Sequence, residues 1–109
     1  MLTRIALVAV LSCCAVPVAA QSKDEVCGLQ GQVVGAIQQA RLDRVKRDEV
    51  VPTLVGANPS WERMSDAMPQ MIEWVYSLKR RDLRNADLGV AAETQCLDNW
   101  EQIQALTNN

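Results

Sequence analysis

Cys27 and Cys96 constrain this chain more than any other pair of residues, because they stand 69 positions apart in a sequence with few other ways of closing on itself. The sequence holds four cysteines, and the other two, Cys13 and Cys14, lie in the apolar stretch that opens it. That opening, MLTRIALVAVLSCCAVPVAAQS, has the pattern of a secretory signal. Arg4 supplies a short positive start, Ile5 to Val18 is apolar apart from Ser12, and Val18-Ala19-Ala20 places small residues where a signal peptidase cuts. Residues 1–20 are therefore expected to be removed, leaving 21–109 as a single exported domain, periplasmic or secreted from a bacterium. Cys27 and Cys96 then have only each other to pair with, in an oxidising compartment. Closing this loop restricts the unfolded chain by about 4 kcal/mol on the chain-entropy model, against the 5–15 kcal/mol by which domains are typically stable. A redox role would want a C-x-x-C spacing, which the sequence lacks. An alternative for the opening is a lipid anchor: Val10-Leu11-Ser12-Cys13 loosely resembles a lipoprotein box, and a lipid on Cys13 would tether the protein.

Between the two cysteines the hydrophobic pattern is helical. There is no Phe, one Tyr and no alternating run of β-branched residues, so strand signals are poor. Lys23-Asp24-Glu25 opens a first helix, and Val26, Leu29, Val33, Ala36, Ile37 and Ala40 fill one arc of it, with Cys27 and Val34 on the edge. Arg41, Arg44 and Asp48 fall inside the same arc, so the helix is expected to end between Arg41 and Arg47. A short second helix opens on Asp48 and Glu49, tolerates Pro52 in its first turn and closes at Gly56. Asn58-Pro59 predicts the cap and first position of a third helix, striped by Trp61, Met64, Met68, Met71, Ile72, Val75 and Leu78. Pro69 predicts either a kink or a restart capped by Ser65 or Asp66. Lys79 to Asn85 reads as a polar connection. The last helix is expected from Asn85 or Ala86 towards Leu106, with a seam of Leu88, Ala92, Cys96, Ile103 and Leu106 and Trp100 beside it. The fold expected is all-α: a small bundle of four to five helices, with one disulfide joining the first and last.

The chain contains no histidine, which removes the commonest general base and metal ligand and the usual partner of a catalytic Ser or Cys. Glu62 with Asp66, and Glu93 with Asp98 and Glu101, read as solvated faces rather than carboxyls facing across a cleft. The expectation is a non-enzymatic protein without a cofactor. Met64, Met68 and Met71 offer soft thioethers of the kind that select Cu(I) or Ag(I), but they coincide with the apolar stripe, where Met fills core gaps or lines an adaptable partner groove. Two basic runs, Arg41, Arg44, Lys46, Arg47 and Lys79, Arg80, Arg81, Arg84, suggest an anionic ligand, though each falls at a helix end, where cations are favoured anyway. The formal charge of −2, or −3 once Arg4 is removed, argues against nucleic acid as a partner. No stretch of the mature chain reaches membrane-spanning length. Trp74 and Tyr76 lie off the stripe and either mark a contact surface or cap the core between helices. Gly28, Gly31 and Gly35 lie together on the first helix, away from its main apolar arc, and predict close packing by a second helix or a second copy of the chain.

Cys27, Arg41, the Ile72-Glu73-Trp74-Val75-Tyr76 segment and Cys96 together resemble small exported bacterial helical proteins of unknown function with one disulfide. In architecture alone the chain is similar to the acid-resistance periplasmic chaperones, which implies a client-binding holdase as an alternative function. The expectation is therefore an exported protein acting by binding or as an accessory factor. Its alternatives are an acid-stress holdase and a Cu(I)/Ag(I) protein. The protein partner or client and the oligomeric state are left open.

Overall fold

The computed structural model describes residues 22–107, so the expected signal at 1–20 and the lipid-box Cys13 lie outside the described residues. The described residues are all-helical, with no strand: α1 (Lys23–Leu42), α2 (Val50–Ala57), α3 (Met68–Ser77), α4 (Arg80–Leu83), α5 (Leu88–Asp98) and α6 (Trp100–Thr107). Two 3-10 segments, Arg47–Glu49 and Pro59–Met64, lead into α2 and towards α3. No helix among the described residues is long and apolar enough to cross a membrane.

α1 is the axis of the fold. Ser22 caps it, its Oγ accepting the Glu25 N–H at 3.2 Å, and Asp24 and Glu25 sit in the positive first turn. α5 runs along one side of α1 and α3 along another, while α2 and α4 pack near its C-terminal half. Two faces of α1 are therefore covered. Val33, Ile37 and Ala40 of the apolar arc are buried, but so are Cys27, Gly31, Val34 and Gln38 on the side facing α5. Cys27 and Val34, at the edge of the arc on the wheel, are thus central, while Val26, Leu29 and Ala36 are half-buried. The core is completed by Val50 and Leu54 of α2, Met68, Ile72 and Val75 of α3, Leu83 of α4, and Leu88 and Ala92 of α5.

The contact between α1 and α5 is made by backbone as much as by side chains. A Cβ added to Gly31 would lie 2.8 Å from the Gly89 carbonyl oxygen and 3.1 Å from Glu93 Cβ, and one added to Gly89 would meet the Gly31 oxygen at 2.8 Å. Only glycines allow the two helices to come this close. A Cβ added to Gly35 would meet Gly89 Cα at an ordinary 3.9 Å, and one added to Gly28 would face open space. The Cys27–Cys96 disulfide clamps the same pair of helices, with both residues buried. Further along α1, buried Gln38 ties down the start of α5. Its Nε2 donates to the carbonyls of Leu83 at 2.6 Å and Ala86 at 2.7 Å, and its Oε1 accepts the Leu88 N–H at 3.1 Å. Carbonyls leaving α4 and a donor entering α5 are thereby satisfied where water is excluded.

The described residues hold six α-helices where four to five are expected, because the last expected helix is divided and the polar connection contains a short helix, and several boundaries also differ. Gly56 does not close the second helix; it lies inside α2, which ends one residue later. Asn58 holds the cap position of the following 3-10 segment, with Pro59 first in it as expected, but its side chain makes no capping bond: the Asn58 N–H and Nδ2 both return to the Leu54 carbonyl, at 2.9 and 3.4 Å. The expected third helix is a 3-10 segment and a separate α3, so the restart holds rather than the kink. The residue before α3 is Ala67 rather than Ser65 or Asp66, with Pro69 in the first turn, where no helical N–H is lost. The polar connection contains α4, anchored by fully buried Leu83. The last helix starts later, at Leu88, with Asp87 as cap (Oδ1 to Val90 N, 3.1 Å), and it breaks at Asn99. There the Asn99 N–H still makes the helical bond to the Gln95 carbonyl at 3.1 Å, and its Nδ2 shares that carbonyl at 2.8 Å, a local side-chain competitor to helix continuation. Beyond the break Leu106 is 81% exposed, so the expected seam does not reach it.

Candidate functional site

The two basic runs, far apart in sequence, meet at one corner. The meeting is set up by the end of α1. The Val45 N–H bonds the Ala40 carbonyl at 2.9 Å and the Arg44 N–H bonds the Arg41 carbonyl at 3.2 Å, the paired bonds of a Schellman turn. Such a turn needs a left-handed residue, and here it is Arg44, with φ of 65°. Glycine takes this conformation freely, whereas a side chain pays about 1 kcal/mol or more for it. The turn aims the Val45 carbonyl at α3, where the Tyr76 hydroxyl donates to it at 2.6 Å. The guanidiniums of Arg41 and Arg47 lie over the Tyr76 ring, 5.2 and 5.8 Å from its centre. Arg80, at the start of α4, donates from Nη2 to the Leu42 carbonyl at 2.9 Å and so joins the second run to the first.

The charges at this corner are unevenly compensated. Arg47 pairs with Glu73 at 3.0 Å on the surface, and Arg81 approaches Asp82 at 3.8 Å. Among the described residues no carboxylate lies within 4.0 Å of the guanidiniums of Arg41, Arg44, Arg80 or Arg84. Asp43, at the cap, accepts from Gln39 Nε2 at 3.0 Å. The Nε–H groups of Arg41 and Arg80 are buried and have no hydrogen-bond acceptor. Desolvation and the neighbouring Arg44, Arg41 and Arg84 together hold the Arg80 pKa below its ordinary value. Burial pushes the Tyr76 phenol up, against the opposing pull of Arg41 and Arg47. The helix dipole explains only part of this. A helix C-terminus carries about half a negative charge, too little to balance four unpaired guanidiniums.

The other candidate residues are placed as follows. Cys27 and Cys96 are joined. Gly31 and Gly35 face α5, and Gly28 does not. Met68 is fully buried in the core, with Met64 and Met71 half-buried against it. Met64 belongs to the 3-10 segment, so the three do not share one helix face. Trp74 is 41% exposed and, with Met71, Val34, Ala92 and Ile103, borders an open cleft beside the disulfide. Glu62, Asp66, Asp98 and Glu101 are exposed and Glu93 is half-buried. No three of the His, Cys, Asp or Glu side chains among the described residues are grouped to hold a metal.

Sequence reasoning weighed the basic runs separately and missed their convergence, along with Gln38 and Gly89. Nothing in the one-dimensional pattern marks Arg44 as left-handed, since the usual glycine signal is absent there. Comparisons with protein-family models, with curated proteins and with solved structures find no match to this chain.

Proposed function

We propose that this is an exported, disulfide-stapled helical protein that acts by binding or as an accessory factor rather than by catalysis, and that the Arg41–Tyr76–Arg80 corner receives an anionic partner. One observation carries the reading: Arg80 of the second run reaches back to the Leu42 carbonyl at the end of α1, beside the Arg41 that rests on Tyr76, and four guanidiniums of the two runs lack a carboxylate. The absence of histidine from the chain makes binding the simpler use of this surface. The test is a resonance-mapped titration of the oxidised protein with a panel of anions, including inorganic phosphate and an acidic peptide, at low ionic strength. Saturable shifts centred on Arg41, Tyr76 and Arg80 are expected, weakening steeply with salt. No saturable shift with any anion would refute the reading.

A holdase is the second reading, favoured by the cleft under half-exposed Trp74, which adaptable Met71 borders with Val34, Ala92 and Ile103 among the amides of Gln30, Gln95 and Asn99. It predicts dye binding and suppression of client aggregation at pH 2 to 4. A chain that stays fully packed in acid would remove it. A Cu(I) or Ag(I) site at Met64, Met68 and Met71 has less support, because Met68 would have to leave the core to offer its sulfur.

A further inference from the structure

We infer that the corner where Arg80 reaches back to the end of α1, with Arg41, Arg44 and Arg84, is a phosphoryl-binding site. The inference rests on the binding reading above and adds the chemical class of the ligand.

Three observations support it independently. The first is unfilled donor capacity. Arg41 and Arg80 each carry a buried Nε–H with no acceptor. A buried donor without a partner costs free energy, more so on a charged group. Arginine side chains turn about several bonds, so an arriving acceptor satisfies these N–H groups once it draws the guanidiniums from the Leu42 carbonyl and the Tyr76 ring. The second is Arg44. Its backbone holds the left-handed turn that glycine holds without cost, and its side chain is exposed and touches no acid. A strained residue at the rim of a charged cluster is accounted for when its side chain is what the site uses. The third is charge. The unpaired guanidiniums of four arginines exceed what one carboxylate, with a single charge and two oxygens, can match. A phosphate monoester carries about −1.5 to −2 at neutral pH and three strongly accepting oxygens, which suits several guanidinium forks at once.

The phosphoryl group has two sources, a free phosphate compound or a lipid headgroup. The experiment titrates the oxidised full chain with inorganic phosphate, with phosphatidylglycerol vesicles, with phosphatidylcholine vesicles as the zwitterionic control, and with an acidic peptide. The variants are Arg44→Gln and Arg84→Gln, chosen because both side chains are exposed and neither donates to the backbone, whereas Arg80 holds the Leu42 carbonyl. Saturable phosphate binding that falls about tenfold in each variant is the expected result and assigns a free phosphate compound. Binding to phosphatidylglycerol vesicles alone, lost in the same variants, supports the site and assigns the headgroup. Binding of the acidic peptide with neither phosphate nor vesicles overturns the phosphoryl assignment while the binding reading stands. Phosphate binding unchanged in both variants overturns the site. Silence towards every anion overturns both.

Discussion

Alanine substitution along the glycines of α1 separates a packing seam from an exposed strip. At Gly28 an added methyl meets nothing within 4 Å, and at Gly35 only Gly89 Cα at 3.9 Å. Both Gly28→Ala and Gly35→Ala should therefore show the helix-propensity gain of up to about 1 kcal/mol. At Gly31 the methyl would sit 2.8 Å from the Gly89 carbonyl oxygen and 3.1 Å from Glu93 Cβ. The obstructing atom is backbone in α5, and α5 is held by the disulfide at one end of the contact and by Gln38 at the other. It cannot swing aside as a side-chain tip would. Overpacking of this kind costs about 1–3 kcal/mol, which cancels or outweighs the propensity gain. Gly31→Ala should thus melt below Gly28→Ala by at least about 4 °C, since 1 kcal/mol moves the melting temperature of a domain this size by roughly 4–8 °C. The assay is thermal unfolding followed by circular dichroism with the disulfide intact. Gly89→Ala should behave like Gly31→Ala, and the double variant should lose less than the sum, because one methyl already forces the helices apart. If Gly31→Ala melts as high as Gly28→Ala, the close approach of α1 and α5 is wrong.

Other expectations concern buried polarity and the arginine corner. Gln38→Leu removes the partners of two carbonyls and one N–H and should cost about 3 kcal/mol or more, read from urea denaturation of the oxidised protein. Arg44→Gly should raise stability by up to about 1 kcal/mol by relieving the left-handed turn while weakening phosphate binding; a loss of stability would mean the Arg44 side chain contributes to packing. Tyr76 is the chain's single tyrosine, so absorbance titration reads it directly, and its midpoint should lie above the ordinary value near 10. Its folded pKa is raised, so its contribution to stability is fully present below pH of about 10 and is lost as pH rises through the folded value. Tyr76→Phe should remove that alkaline loss, along with the hydrogen bond to the Val45 carbonyl.

Local chemistry determined much of this protein from the sequence alone. Apolar spacing specifies helices wherever a three-to-four-residue rhythm persists, and the breakdown of that rhythm places the end of α1 between Arg41 and Arg47, within which the structure ends it at Leu42. The cysteine pairing followed from counting which thiols remain once the opening segment is set aside. The tertiary structure decided the rest, for identifiable reasons. The glycines of α1 announce a close approach in the sequence, but only the fold says that α5 makes it and that Gly31, not Gly28, is the one a facing backbone meets, at Gly89. Hydrophobic periodicity reports side chains that avoid water, so it overlooks a glutamine buried because three backbone groups from another part of the chain satisfy it, as Gln38 is. Asn99 reads as one more position in a long helix until its own side chain competes for the Gln95 carbonyl. The arginine corner depends on the packing of α4 against the end of α1. Each basic run alone reads as a helix terminus, and only the fold brings Arg80 onto the Leu42 carbonyl beside Arg41 and its Tyr76 contact, because charge density is a property of positions in space and not of order along the chain.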